Sequence, residues 1–381
     1  LSALVVGCST AQPLGSDSGA AQGNANDISA ARRANLFDPQ RIMEVSLELH
    51  PSDWDALRHE GRSLTDVASG CTDPDFAYTY FKATATVDGV RLADVGVRKK
   101  GYLGSLSVVR PSLKLSFGRF VRGQTLWGTR RLALNNNRQD PTNARQCLSY
   151  GLFRKAGVAA PRCSLVRVQV NGKDLGIYSN VEPIKKDFLR RAFGDDSGVL
   201  YEGQVSDFQG GFVETFQNKT NAPVHDRSDL LALTRALETP DSGLVAAIGP
   251  LVDLDAFYTF WAMELLAGHW DGYSGNRNNY YLYRAPEKNK FLFIPWGTDD
   301  AFSLHKLRAQ EAPSSVHAHG ALARRLYNLS ETRKRYRDRL AELLATVWSE
   351  SELLQELERL TTLTWKADAG APSLAQLREF I

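Results

Sequence analysis

The hydrophobic pattern of this 381-residue chain changes from a period of two in its first half to a helical period in its second half. Alternating polar and apolar residues predict strands that each bury one face. From about Ser228 onward, leucines and aromatic residues recur at helical spacing instead. Strands followed by helices predict an α+β fold with a β-rich N-terminal part and a mainly helical C-terminal part. The first four predicted strands are residues 41–49, 78–87, 94–99 and 112–117.

Residues typical of hairpin turns and helix caps mark the ends of further predicted strands and helices. Asp88-Gly89 and Asn171-Gly172 are typical of tight hairpin turns. Asp140 followed by Pro141 predicts the start of a helix that Gly157 ends. A pair of strands interrupts the helical half. The remaining predicted strands are 163–170, 175–181, 199–202, 279–283 and 290–295, and the remaining principal helices are 185–193, 322–348 and 350–363.

The composition excludes several classes of protein. Hydrophobic residues make up 43% and charged residues 23% of the chain, as in folded soluble proteins. Lys and Arg number 46 against 43 Asp and Glu, a net charge of +3 that is too small to indicate nucleic-acid binding. Any cationic site must therefore be local.

The N-terminus resembles the end of a bacterial lipoprotein signal peptide. An apolar run with a small residue before Cys8 matches the lipobox, in which the cysteine is acylated after cleavage, although a basic start is missing. The alternative is a buried cysteine in an ordinary strand. Residues 9–40 are mostly small and polar, which favours a flexible tether. If the chain is exported, Cys71, Cys147 and Cys163 provide for one disulfide, whose pairing the sequence leaves open.

A dense polar segment, residues 268–279, lies between a long apolar helix and a strand. Loops on rigid supports often carry catalytic groups. Within this loop, Asp271 and Asn276 have the spacing of the base and the metal-binding Asn in the protein-kinase catalytic loop. The alternative is that both residues only form turns.

A second acidic position follows the apolar strand 291–294, where Asp299 and Asp300 come after Pro295. The order of helix, Asp-x4-Asn loop, hairpin, strand and Asp is the order in which kinase-like folds deliver a base and two metal ligands. Carboxylate and amide oxygens suit Mg²⁺ or Mn²⁺. The alternative is that Asp299 and Asp300 cap a helix.

Three further residues are candidates for binding the nucleotide. Lys114 lies among apolar neighbours in a predicted strand and is the candidate cation for the phosphates; the alternative is a solvated lysine on the outer face. Arg145 would hold a phosphate or a carboxylate, or else lie on the surface. Glu182 follows a strand where a hinge would fall, and would hold the ribose or the amine of a nucleotide, or else cap a helix. No Walker A motif is present.

Several separate motifs lie along about residues 41–363. They are Leu132 to Asn136, Asp140 to Thr142 with Arg145, Leu152 to Arg162, Val170 to Gly172, Leu175 to Tyr178, Asn279 to Tyr283 after the Asp271 loop, and Ile294 to Trp296. Together they resemble the CotH family of kinases, which was first named from a spore coat protein.

This resemblance implies an atypical secreted or surface protein kinase that transfers phosphate from ATP to Ser or Thr with a divalent metal. It implies that Asp271 is the catalytic Asp, Asn276 a metal ligand and Asp299 the metal-binding Asp. Many members read Pro-Trp-Asp-x-Asp, whereas this chain has Gly297 in place of the first acid. If that acid is the essential ligand, the chain is inactive.

We therefore predict a two-lobed protein-kinase-like fold, with a β-rich nucleotide-binding lobe over residues 41–182 and a mainly helical catalytic lobe over 183–381. The expected cofactors are ATP and Mg²⁺ or Mn²⁺. We expect a monomeric lipoprotein of the cell envelope that contacts the membrane through its lipid anchor alone, phosphorylates an extracytoplasmic protein and binds no nucleic acid. The alternative function is a catalytically inactive envelope scaffold or adhesin.

Overall fold

The computed structural model describes residues 31–61, 77–101, 105–220, 226–303, 317–367 and 374–381. The predicted leader with Cys8, most of the predicted tether and Cys71 lie outside the described residues. Among the helices that are described, none is both long enough and apolar enough to cross a membrane.

The N-terminal half folds into a closed barrel of seven strands in the order β1-β2-β3-β4-β5-β7-β6. Neighbouring strands are antiparallel except for β1 and β6, whose parallel pairing closes the barrel. The strands are β1 (Ile42–Glu48), β2 (Phe81–Val87), β3 (Val90–Lys100), β4 (Ser112–Ser116), β5 (Arg131–Asn135), β6 (Cys163–Val170) and β7 (Lys173–Val181).

Side-chain alternation explains how the barrel acquires an apolar interior and a polar outer face. In β4, Leu113 and Leu115 are fully buried in the barrel core. Lys114 lies between them and therefore points to the other side of the sheet. It pairs with Arg98 of β3, so cations from two strands share the outer face.

Both predicted hairpin turns are present. Asp88 and Gly89 have φ values of 44° and 79°, and Asn171 and Gly172 have values of 50° and 77°. These left-handed conformations are the ones that a two-residue type I′ turn requires. The sequence therefore located the β2–β3 and β6–β7 connections correctly.

The C-terminal half combines helices with a second, antiparallel sheet in the order β11-β10-β8-β9. Its strands are β8 (Val199–Gly203), β9 (Gln217–Asn218), β10 (Tyr280–Ala285) and β11 (Lys290–Pro295). The helices of the described chain are α1 (Pro51–His59), α2 (Arg145–Lys155), α3 (Lys186–Phe193), α4 (Ser228–Leu237), α5 (Leu244–Ile248), α6 (Leu254–Leu266), α7 (Tyr273–Asn276), α8 (Ala321–Asn328), α9 (Ser330–Thr346), α10 (Glu350–Ala367) and α11 (Ala375–Phe380).

An aromatic cluster fixes the polar loop to the second sheet. The ring of Phe293 on β11 lies 4.8 Å from that of Phe257 on α6 and 5.0 Å from that of Tyr273, centroid to centroid. All three residues are buried. Aromatic pairs at this separation add packing energy to the burial of their surfaces. The loop after α6 is thus anchored by the core directly beneath it.

The predicted α+β fold is confirmed, and several predicted boundaries are corrected. The helix that was predicted to start directly after Asp140 is α2, which begins at Arg145. The Asp140 carboxylate accepts from the backbone N–H of Arg145 at 2.8 Å and so lies before the helix. The single helix predicted over 322–348 is two helices, since Leu329 is extended at φ −86° and ψ 132°. A disulfide joins Cys147 of α2 to Cys163 of β6.

Candidate functional site

Asp271 lies just after the end of α6 and is surrounded by asparagine side chains. The amide nitrogen of Asn276 donates to Oδ1 of Asp271 at 2.6 Å, and that of Asn279 donates to Oδ2 at 2.7 Å. Asn278 contacts both oxygens at 3.3 Å. The structure thus brings together Asp271 and Asn276, which the sequence singled out, and adds two asparagines that it did not.

The surroundings of Asp271 raise the pKa of its carboxyl group. Burial raises its pKa, the hydrogen bonds from Asn276 and Asn278 lower it, and the charges of Asp299 and Asp300 raise it, so that the pKa lies above its ordinary value. A raised pKa makes a carboxylate a better proton acceptor near neutral pH. The same charges show that Asp299 lies within electrostatic reach of Asp271.

Asp299 and Asp300 lie in a short turn directly after β11. Asp300 accepts from the indole nitrogen of Trp270 at 3.0 Å and from the Ser303 hydroxyl at 3.1 Å. Because Trp270 immediately precedes Asp271, this contact ties the turn to the polar loop. The two loops that the sequence proposed as partners therefore meet.

Arg145 binds the residues that directly follow this turn. Its Nη1 donates to the Phe302 carbonyl at 3.0 Å and to the Ser303 hydroxyl at 3.1 Å, and it also contacts the Ala301 carbonyl. The side chain is 5% exposed, so the surface alternative is wrong. These contacts position the segment after Asp299. The predicted role of Arg145 in holding a phosphate stays a prediction.

Glu182 is also committed to the protein. Arg162 and Arg191 lie 2.9 Å and 2.7 Å from its two carboxylate oxygens. Burial raises its pKa, but the hydrogen bond from Arg191 and the charge of Arg162 outweigh this effect and leave the pKa below its ordinary value. Glu182 therefore joins the end of β7 to α3 through Arg191. The predicted contact of Glu182 with a nucleotide's ribose or amine stays a prediction.

Lys114 is half-buried on the outer face of the barrel and has no hydrogen-bond or ion-pair partner in the described part of the chain. Burial, together with the charges of Arg98 and Lys185, lowers its pKa to about 7. A half-buried amine with like charges around it is a candidate for binding an anion. The predicted role of Lys114 as a phosphate ligand stays a prediction.

Lys100 is the cation that the sequence reasoning undervalued. It ends β3, hydrogen-bonds the Asn135 side chain and lies 5.7 Å from the ring centroid of Trp296. Burial lowers its pKa to about 8, while the charge of Asp299 opposes this shift. Lys100 thus connects the barrel to the Asp299 turn. Its place at the end of a strand, directly before Gly101, was the available signal.

The second sheet provides the facing wall. Glu202 of β8 lies 2.6 Å from the ammonium group of Lys219 and hydrogen-bonds the Tyr281 hydroxyl. Its charge raises the pKa of both Lys100 and Lys114, so the outer face of the barrel lies opposite this sheet. Cations of the barrel and acids of the C-terminal half thus lie within electrostatic reach of each other, and the region between them is called the cleft below.

Glu264 is a buried residue that positions the polar loop. Its carboxylate accepts from the backbone N–H groups of Tyr273 and Ser274, each at 2.8 Å. Burial raises its pKa to about 7 despite these bonds. A Cβ on Gly272 would lie 2.2 Å from the carboxylate, so glycine is required there. An acid inside an otherwise apolar helix was the signal for this role.

Gly297 has a specific neighbour. Its φ is 55°, and a Cβ at this position would lie 2.4 Å from Oδ1 of Asn279. Because Asn279 also holds Asp271, the space that a side chain at position 297 would need is taken by a residue that serves the polar loop. The departure from the family pattern is thus coupled to the environment of Asp271.

The donor set suits a hard cation. No group of three or more His, Cys, Asp or Glu side chains converges as a metal site within the described ranges. Mg²⁺ usually takes one or two protein carboxylates and completes its shell with water and phosphate oxygens. Asn276 turns its nitrogen toward Asp271. The Asp299 carboxylate and the Asn276 amide oxygen are the kinds of ligand that such an ion takes.

Comparisons with known proteins agree on one family. A family model described as CotH kinase protein matches residues 97–367. Inner spore coat protein H of Bacillus subtilis is 24% identical over 258 residues, which are 63% of this chain and 70% of that protein. Spore coat protein homolog 1 of Rhizopus delemar is 27% identical over 202 residues, or 50% of this chain and 33% of that protein.

The similarity to solved structures is weak. A chain from the HipA, HipB and operator DNA complex of the Shewanella oneidensis MR-1 toxin–antitoxin system covers 74% of this chain and 67% of its own length, at 13% identity and a TM-score of 0.26. A TM-score this low supports no structural inference.

Proposed function

Because the chain belongs to the CotH kinase family, we propose that it is an atypical protein kinase that transfers phosphate from ATP to a Ser or Thr hydroxyl of an extracytoplasmic protein, with a divalent metal. The observation that carries this proposal is the approach of the Asp271 loop to the Asp299 turn, with Lys100 reaching across from the barrel. Phosphoryl transfer depends mainly on such positioning and on charge neutralisation.

In the proposed reaction the hydroxyl oxygen of the substrate bonds to the γ-phosphorus, the bond to the bridging oxygen of ADP breaks, and ADP leaves. Asp271 accepts the hydroxyl proton, for which its raised pKa is suited. Asp299 and Asn276 would hold the metal, which supplies charge neutralisation when bound. Lys100 and Lys114 would contact the phosphates from the barrel side.

An extracytoplasmic location is part of the proposal. The relatives named above are a spore coat protein and its homolog, and a third relative from Rhizopus delemar is named Invasin CotH2. The Cys147–Cys163 disulfide supports an oxidising compartment. We propose that acylation of Cys8 anchors the protein to the envelope.

A second candidate function is a scaffold or adhesin without catalysis, which Gly297 favours. Incubation of the chain with ATP and either Mg²⁺ or Mn²⁺, followed by intact-protein mass spectrometry and a thermal-shift assay, separates the two. A kinase gains phosphate and is stabilised by the metal–nucleotide complex, whereas the Asp299→Asn variant loses both effects. No stabilisation at millimolar nucleotide with either metal would favour the scaffold.

A further inference from the structure

A cavity of about 200 Å³ lies beside residues 182–185, the hinge between β7 and α3. This hinge cavity is more than ten times the volume of roughly 10–15 Å³ that one water needs. Two acids line it, Glu182 and Asp187. The cations that line it are Arg33, Arg131, Arg162, Lys185 and Arg191.

Both acids already have partners. Glu182 is held by Arg162 and Arg191, as described above. Asp187 pairs with Arg190 at 2.5 Å. Each of the two acids thus has an arginine partner, and Glu182 has two, so neither acid is left to neutralise the remaining cations of the lining.

Arg131 and Lys185 are those remaining cations. Neither side chain has a hydrogen bond or an ion pair with any residue that the structure describes, and both residues are half-buried. Arg33, by contrast, donates to the Trp127 carbonyl at 2.9 Å. Half-buried like charges without a partner are costly unless an anion neutralises them.

The environment of Lys185 supports this assessment. Burial and the charges of Lys219, Arg131 and Arg98 together lower its pKa to about 8, although the charge of Glu202 acts in the opposite direction. Lys114 is part of the same field, because the Lys185 charge lowers its pKa as well. Lys185 therefore connects the hinge cavity to the cationic side of the cleft.

We propose that Arg131 and Lys185 form a binding site for a phosphate group in the hinge cavity, separate from the Asp271 and Asp299 end of the cleft. A planar guanidinium and an ammonium group from two different elements can contact different oxygens of one phosphate. The phosphate is either part of a nucleotide that reaches toward the hinge or a free anion. The inference goes beyond the proposed function, because such a site exists whether or not the chain transfers phosphate.

The test is isothermal titration calorimetry of the whole chain with potassium phosphate, in low-chloride buffer without metal. Variants of the adjacent exposed residues serve as controls. Arg131→Gln and Lys185→Gln are compared with Arg130→Gln and Lys186→Gln, whose side chains are exposed. Loss of one charge-assisted contact predicts about tenfold weaker binding or more in the first pair. The control pair should bind like the parent protein.

A second readout separates binding from folding. Because removal of a positive charge from a cluster relieves repulsion, Arg131→Gln and Lys185→Gln should unfold at the same temperature as the parent protein or higher in phosphate-free buffer. Phosphate should also protect Lys185 from acetic anhydride relative to Lys186, as measured by peptide mass spectrometry.

Repeating the titration in saturating ATP distinguishes a nucleotide phosphate from a free phosphate anion as the natural ligand. Suppressed phosphate binding indicates that the nucleotide fills the site, and unchanged binding indicates a free anion; both support the site. Absence of phosphate binding by the parent protein, or equal binding by all four variants, overturns it. The measurement needs no phosphoryl transfer, so its failure is distinct from failure of the proposed function.

Discussion

The side-chain nitrogen of Asn276 lies 2.6 Å from Oδ1 of Asp271, which fixes the orientation of the carboxylate that we propose as the proton acceptor. Asn279 holds the other oxygen at 2.7 Å. Two amide donors thus keep the carboxylate in one rotamer before any substrate binds. Such preorganisation reduces the cost of reaching the reactive geometry.

Asp271→Asn should lower the rate of phosphate transfer by about 10²–10⁴-fold, because an amide cannot accept the hydroxyl proton. Stabilisation by the metal–ATP complex should persist, since Asp299 and Lys100 are unchanged. Transfer is measured with labelled ATP and stabilisation by thermal shift. Asp338→Asn, on the exposed face of α9, is the matched control and should change neither. A variant at position 271 with the parental rate would contradict the assignment.

Gly297→Ala should destabilise the protein by about 1–3 kcal/mol, because the new Cβ meets Asn279 and the residue must keep φ near 55°. Gly151→Ala provides the control: nothing lies within 4 Å of its added Cβ, and in α2 alanine should stabilise by up to about 1 kcal/mol. Urea denaturation measures both. If the clash with Asn279 is the cause, Asn279→Ala should reduce the destabilisation caused by Gly297→Ala and leave the effect of Gly151→Ala unchanged.

Glu264→Gln should change how stability depends on pH. The native pKa of Glu264, about 7, lies above its ordinary 4.5, so the native state holds this proton more tightly than the unfolded state does. Stability from this group is therefore full below pH 4.5 and falls as pH rises toward 7, by on the order of 3 kcal/mol. The free energy of unfolding of the parent protein, relative to that of the variant, should decrease by that order between pH 4 and pH 8.

The control for this measurement is Glu287→Gln, which is exposed in the β10–β11 connection and should parallel the parent protein at every pH. The other buried groups, such as His269, are common to all three proteins and cancel in the difference. A constant difference between the parent protein and Glu264→Gln across this range would show that folding does not shift the pKa of Glu264.

Replacement of both Cys147 and Cys163 by alanine should lower the free energy of unfolding by about 3 kcal/mol, because the disulfide closes a loop with a sequence separation of 16 residues. Urea denaturation should give a similar loss when the parent protein is fully reduced. Equal stability of the oxidised parent protein and the double variant would show that the crosslink does not constrain the unfolded chain.

The sequence predicted elements whose signals are local. The Asn171-Gly172 turn and the alternation around Lys114 determine their own conformations, so these features were confirmed. Closure of the barrel was missed because it depends on β1 pairing in parallel with β6, more than a hundred residues away. Hydrophobic periodicity contains no information about such register.

The candidate site divides in the same way. Asp271, Asn276 and Asp299 could be proposed because each occupies a recognisable place relative to a helix or a strand. The protein contacts of Arg145 and Glu182 could not be predicted, since a sequence does not show which groups will satisfy a buried charge. The sequence thus indicated which residue types could act in a site, but not which groups they contact.

Closure of the barrel also limits how another macromolecule can engage this half of the protein. Each strand of the described barrel has neighbours on both sides, so the barrel has no edge strand. An extended peptide therefore cannot pair with it through main-chain hydrogen bonds. A client protein would have to be recognised by side chains and loops, which makes specificity at this surface readily altered by point substitutions.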